Sequence, residues 1–280
     1  MENHWHICTD GLEKNVIFKS RKDYIAGMNG IPVCAVGSQV TILAFCLMSN
    51  HVHFIVRGTE TGCRNFIIRY KRRISSLAYV RNIEVSIKRI DSMDYLMKAI
   101  GYVLRNPISA GIRVMPLYYE WSSASLYFRN PESIRHNWSR KISSLSYRAK
   151  REILHAQTDL FDELPVSEEG MIPKEYYVDI TAVEKIFQSP ARLMFAISRN
   201  INMDMEMDGD ILHKTRYSDN ELTEPIKDIC RQTFNKSSVE MLNIEQRYRL
   251  AKTLHRRYGL TRKQLARLTM TDPELLKSML

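Results

Sequence analysis

Apolar and polar positions change their period several times along the chain, and each change marks an element. His4 to Cys8 (HWHIC) is a short β-prone run that meets the turn pair Asp10-Gly11. Beyond Phe18, Ser20 stands as an N-cap before RKDYIAGM, which predicts a helix, with Pro32 and Gly37 as later punctuation. Thr41 to Met48 is nearly all apolar, Val52 to Val56 is β-branched and aromatic, and Ser49-Asn50 lies between them. Two adjacent strands joined as a hairpin, the first largely buried, account for that pattern. From Thr61 to Arg81, Phe66, Ile67, Tyr70, Ile74, Leu77 and Ala78 recur at helical spacing. The opposite face carries Arg64, Arg69, Lys71, Arg72 and Arg73. Glu84 to Ile90 alternates with a period near two and predicts another strand. Asp91 or Ser92 then caps the helix DSMDYLMKAIGYVLRN, and Pro107 predicts its end, because the residue before a proline is pushed out of the α region. Strand, helix, strand, strand, helix, strand, helix predicts an α+β fold, an antiparallel sheet backed by helices.

The remainder divides into two stretches. Residues 128–150 are polar and basic and read as a connector. Residues 151–244 hold short helical pieces punctuated at Pro165, Pro173, Pro190 and Pro225. Within them lies the acidic run NINMDMEMDGD. Its Met203, Met205 and Met207 alternate with acids and have no cysteine or histidine among them, which fits an exposed loop better than a soft-metal site. Asn243 then caps IEQRYRLAKTLHRRYG, whose apolar positions are Ile244, Tyr248, Leu250, Ala251, Leu254 and Tyr258, and Gly259 stops it. Thr261 caps RKQLARLT, and Thr271 or Asp272 caps PELLKSML with Pro273 at the favoured first position. Three short helices exposing Arg256, Arg257, Arg262, Lys263 and Arg267 predict a helix-turn-helix-like DNA-binding end; a docking bundle is the alternative. The expected division is 1–127, 128–244 and 245–280.

Charge sharpens that division. The net +10 splits into +12 over residues 1–150, −8 over 151–244 and +6 over 245–280. Two basic blocks around an acidic one suit two surfaces for a polyanion, or else a solvated charge bias. Hydrophobic residues at 44% and charged residues at 26% describe an ordinary globular chain. The apolar stretch from Ile31 to Met48 is interrupted, so nothing matches the ~20 apolar residues of a membrane span. Cys8, Cys34, Cys46, Cys63 and Cys230 are scattered, odd in number and without a C-x-x-C pair. That disfavours a disulfide scaffold or zinc ribbon and leads us to expect a reducing cytoplasm.

The sharpest chemical signal is His51-Val52-His53. On a strand, residues two apart face the same side with Cα atoms ~6.6 Å apart, so both imidazoles can converge on one cation. Alone, such a pair reads better as two exposed histidines. The second element is Tyr102-Val103-Leu104-Arg105-Asn106-Pro107, in which Tyr102 and Asn106 share a helix face. Without the two histidines, these read as an amphipathic core residue and a plain helix terminus.

Together, LMSNHVHFIV and the downstream YVLRNPISAG resemble the single-tyrosine HUH transposases of small bacterial insertion sequences. The nearer match is to the REP-associated tyrosine transposases, whose signatures read like LMPNHVHLLV and YIHLNPVRAG. HICTDGLEKNVIFKSRKDY fits their opening strand and loop, EWSSASLY fits the Trp-Ser-Ser after the tyrosine helix, and the resemblance spans about residues 4–127. Ser49 stands where proline is usual, and the stretch between Arg73 and Ile90 is shorter than usual.

The resemblance implies a ferredoxin-like HUH nuclease core with an α-helical C-terminal extension. It further implies that Tyr102 attacks single-stranded DNA near a hairpin, leaving a 5′-phosphotyrosine and a free 3′-OH. His51, His53 and Asn106 would hold Mg²⁺ or Mn²⁺, which suits a phenol with an ordinary pKa near ~10 that needs a polarised phosphate. Relatives include dimers that share active sites and monomers that do not, so a homodimer is among the expectations, as is a nucleoid-associated location. Two other readings stay open: a catalytically silent DNA-binding regulator on the same scaffold, and a metal-dependent hydrolase that uses water and has no need of Tyr102.

Overall fold

The computed structural model describes residues 3–9, 16–78, 83–110, 112–130, 140–156, 158–198, 217, 219–258, 260 and 262–279. The acidic run NINMDMEMDGD and the turn at Asp10-Gly11 lie outside them. Four strands, β1 (Asn3–Thr9), β2 (Thr41–Leu47), β3 (Val52–Gly58) and β4 (Val85–Ile90), form one sheet in the order β2-β3-β1-β4. Every neighbouring pair is antiparallel. Helices α1 (Arg21–Val36), α2 (Glu60–Ala78) and α3 (Met93–Ser109) complete the predicted alternation. The fold is therefore α+β, as its periodicity predicts.

Strand alternation assigns the two faces of this sheet. Phe54 meets Phe66 and Tyr70 edge-on, with ring centroids 5.1 and 5.0 Å apart, so α2 covers the Phe54 side. The Tyr70 hydroxyl donates to Gly27 O at 3.1 Å, tying α2 to α1 on that same side. His53 points the other way, toward α3. Register fixes its neighbours: Cys8 lies opposite His53 on one flank, and Cys46 on the other. Beyond the last β1–β3 pair, Val52 N–H donates to Thr9 Oγ1 at 3.0 Å and closes the ladder beside His51.

Caps follow the sequence. Ser20 and Asp23 form a capping box at the start of α1, and Ser92 caps α3. Two of the internal prolines, in α1 and α3, do not end their helices although the sequence reads them as punctuation. Pro32 lies within α1, and α3 runs through Pro107 to Ser109. In α3 the reason is local. Pro107 has no N–H for Val103 O, and the Asn106 side-chain amide donates to that carbonyl instead, at 3.4 Å, as well as to Tyr102 O at 3.0 Å.

The rest of the described chain packs on this core. Helices α4 (Tyr147–Leu154), α5 (Ile180–Phe187), α6 (Pro190–Ser198) and α7 (Asp219–Phe234) precede α8 (Ile244–Tyr258), α9 (Arg262–Thr269) and α10 (Pro273–Met279). Two short strands, β5 (Arg140–Lys141) and β6 (Pro165–Val166), pair beside a small cluster of Ile142, Leu154, Phe161, Val166 and Ile172. Helix α6 lies directly on α3: a Cβ at Gly101 would sit 2.7 Å from Ala196 O. Arg105 Nη1 donates to Ile197 O and Ser198 O at 3.1 and 2.8 Å, satisfying terminal carbonyls of α6. One apolar cluster runs from Trp5 to Leu276. In α8, Leu250, Ala251 and Leu254 are buried as predicted, whereas Ile244 at the first position is exposed. Among the described residues, no helix is long and apolar enough to cross a membrane.

Candidate active site

On the α3 side of the sheet, Tyr102, His51, His53 and Asn106 come together, and all are buried, with Tyr102 4% and Asn106 1% exposed. The Tyr102 ring meets His53 edge-on at a centroid distance of 5.5 Å, and His51 meets His53 edge-on at 4.9 Å. Each position has a local cause. The histidines follow a turn closed by Met48 N–H donating to His51 O at 2.8 Å. Tyr102 and Asn106 are one helical turn apart on the face of α3 that packs on β3.

Orientation is set by hydrogen bonds. His51 Nδ1 lies 2.7 Å from Asn50 Oδ1, so that nitrogen carries the proton and donates. Burial pushes the His51 imidazolium down from its ordinary range, outweighing the raising effects of the Glu221 carboxylate and the Asn106 amide. A neutral His51 with its proton on Nδ1 presents a lone pair at Nε2. Asn106 spends its amide N–H groups on Tyr102 O and Val103 O, which turns Oδ1 toward His51 Nε2 at 3.5 Å. Two acceptors thus face each other inside the protein. Such a pair is favourable only with a proton or a cation between them. With the tautomer assigned this way, the pair fits a divalent cation, and a proton would fill the same place.

The sequence reading missed two members of the cluster. His6 Nε2 lies 3.3 Å from His53 Nδ1, and the His6 ring meets Tyr102 edge-on at 5.9 Å. Cys8 joins them: the ligand atoms of His6, Cys8 and His53 all lie within 4.8 Å of one another, a buried group that could hold a metal ion. The signal was present in HWHIC, where His6 and Cys8 share one face of a strand. A third addition is Glu221 of α7, whose Oε1 accepts from Ser49 Oγ at 2.8 Å and whose charge reaches His51. The Ser49 hydroxyl is what makes that bond available.

The cations divide differently. Helix α2 lies across the sheet from Tyr102, so Arg64, Arg69, Lys71, Arg72 and Arg73 do not share a surface with the histidines. Arg64 pairs with Glu60 at 2.7 Å, and Arg73 donates to Leu154 O at 2.8 Å. Arg256, Arg257, Arg262 and Lys263 are exposed on α8 and α9. Arg267 instead makes a two-pronged contact with Asp219 at 2.7 and 2.9 Å, which holds α9 to α7.

No family model matches the chain, and no curated protein matches it. Among solved structures it is similar to a REP-associated tyrosine transposase bound to a REP hairpin, at 14% identity and a TM-score of 0.36. The match covers 43% of this chain and 75% of the other.

Proposed function

We propose that this chain is a metal-dependent DNA strand transferase of the transposase kind, which cleaves and rejoins single-stranded DNA near hairpins. The observation that carries the reading is the contact of Tyr102 with His53, which in turn meets His51, whose Nε2 opposes Asn106 Oδ1. In this reading the Tyr102 oxygen bonds to the phosphorus of a phosphodiester, the bond from phosphorus to the 3′ oxygen breaks, and the phenol loses its proton. The products are a 5′-phosphotyrosine and a strand ending in a 3′-OH, and the reverse attack rejoins the strand. His51, His53 and Asn106 would hold Mg²⁺ or Mn²⁺, which when bound polarises the phosphate and stabilises the leaving oxygen. The exposed arginines and lysine of α8 and α9 suit phosphate contacts that position a hairpin stem without reading its sequence.

The burial of Tyr102 favours a second reading, a catalytically silent DNA-binding regulator. One experiment separates the two. The protein is incubated with a labelled hairpin oligonucleotide and Mn²⁺, then run on a denaturing gel. A covalent adduct in the wild type that is absent in Tyr102→Phe supports the transferase. Hairpin binding with no adduct supports the regulator, and cut strands with no adduct support a water-using hydrolase.

A further inference from the structure

The group at His6, Cys8 and His53 has its own coordination chemistry. Strand register brings its members together. Cys8 is directly opposite His53, and His6 is two residues along β1 on the same face. All three are buried. The 3.3 Å between His6 Nε2 and His53 Nδ1 matches the spacing of two nitrogens on one tetrahedral zinc, about 3.3 Å for Zn–N bonds of about 2.0–2.1 Å. We infer that His6 Nε2, Cys8 Sγ and His53 Nδ1 form a three-ligand site for a borderline-soft ion of the Zn²⁺ class.

The sulfur decides the class. Thiolate with two imidazoles suits zinc or cobalt, whereas Mg²⁺ and Mn²⁺ prefer oxygen donors. Binding takes the ion from water, forms two bonds to nitrogen and one to sulfur, and releases the Cys8 thiol proton to solvent. The Tyr102 ring lies beside these ligands, edge-on to His6 and His53 at 5.9 and 5.5 Å.

His53 has a further consequence. A neutral imidazole has one lone pair and one N–H. With Nδ1 on the zinc-class ion, its proton sits on Nε2, and His53 is withdrawn from any second ion. Zinc therefore competes with the Mg²⁺ or Mn²⁺ assigned above to His51, His53 and Asn106. That competition rests on the proposed transferase reading; the binding of zinc does not.

The test uses full-length protein stripped with a chelator. Titrated Co²⁺ should bind with a thiolate-to-cobalt charge-transfer band in the near ultraviolet. Cys8→Ala should lose the band, and Cys46→Ala, which removes the buried thiol on the other flank of His53, should keep it. Absence of the band in the wild type, or its survival in Cys8→Ala, overturns the site. X-ray absorption of the wild-type zinc protein needs no variant: one sulfur at about 2.3 Å is expected, and a shell of nitrogen and oxygen alone overturns it. For the competition, Zn²⁺ is titrated into Mn²⁺-dependent hairpin cleavage. Relative to each protein's own zinc-free rate, the half-inhibiting Zn²⁺ concentration should rise at least about tenfold in Cys8→Ala. Unchanged inhibition would overturn the competition. If no Mn²⁺-dependent cleavage occurs at all, the transferase reading fails while the cobalt spectrum still decides the zinc site.

Discussion

The two faces of the four-stranded sheet are both buried, yet they obey different physics. On one, Phe54 packs between Phe66 and Tyr70 under α2, and its contacts are apolar and non-directional. On the other, His6, His51, His53 and Asn106 are equally shielded, and nearly every atom there depends on one particular partner. A residue on the first face can be exchanged for another of similar volume at modest cost. On the second, removing a partner strands a buried polar group. Apolar ring packing lies on one side of β3 and a buried polar cluster on the other, although adjacent residues supply both.

The largest effects should fall on opposite faces and in opposite assays. Phe54→Ala should cost about 3–5 kcal/mol in denaturant unfolding, because it empties a packed aromatic cluster. His51→Ala or His53→Ala should abolish adduct formation and weaken Mn²⁺ binding while costing less stability than Phe54→Ala. A His variant that kept full activity and metal affinity would return these residues to a structural role.

Asn106→Ala should combine the two kinds of damage. It removes a ligand oxygen and also leaves Val103 O without its substitute donor, at about 1–3 kcal/mol. Water cannot take over both tasks inside the helix. Unfolding by denaturant together with Mn²⁺ titration reads the two losses separately.

Gly101→Ala tests the packing behind the tyrosine helix. Its Cβ would collide with backbone of α6, so a destabilisation of about 1–3 kcal/mol is expected. A neutral effect would mean that α6 can move away from α3 freely.

The smallest effect is a pH dependence. His51 is held below its unfolded value of 6.5, so the unfolded chain binds more protons once the pH falls through that value. The stability that neutral His51 contributes is therefore present above pH 6.5 and is lost as the pH falls toward the lower folded value. The thermal midpoint should decline on acidification below 6.5, and the decline should be shallower in His51→Gln.

Much of this was legible in single segments. The alternation in HVHFIV predicts which residues share a face, and the four-residue step from Tyr102 to Asn106 predicts their joint direction. Capping at Ser20 follows from residue type, which narrows the α3 cap to Asp91 or Ser92. What escaped depends on partners distant in sequence. HWHIC reads as a strand, but only the pairing of Cys8 with His53 shows that its histidine and thiol belong to the site. The basic stripe of α2 is visible at helical spacing, while its placement across the sheet from Tyr102 depends on which side Phe54 faces. Pro107 fails to stop α3 because a neighbouring side chain replaces the missing donor, which no rule about proline alone contains.

In the proposed reaction Tyr102, held against His53, is the nucleophile. That role is tested most directly by digesting the hairpin adduct with trypsin and sequencing the modified peptide by mass spectrometry. A nucleotide 5′-phosphate is expected on the tyrosine of the peptide Ala99–Arg105. Attachment instead at Tyr95 or Tyr118, or the absence of any modified peptide under Mn²⁺ and hairpin saturation, would contradict it.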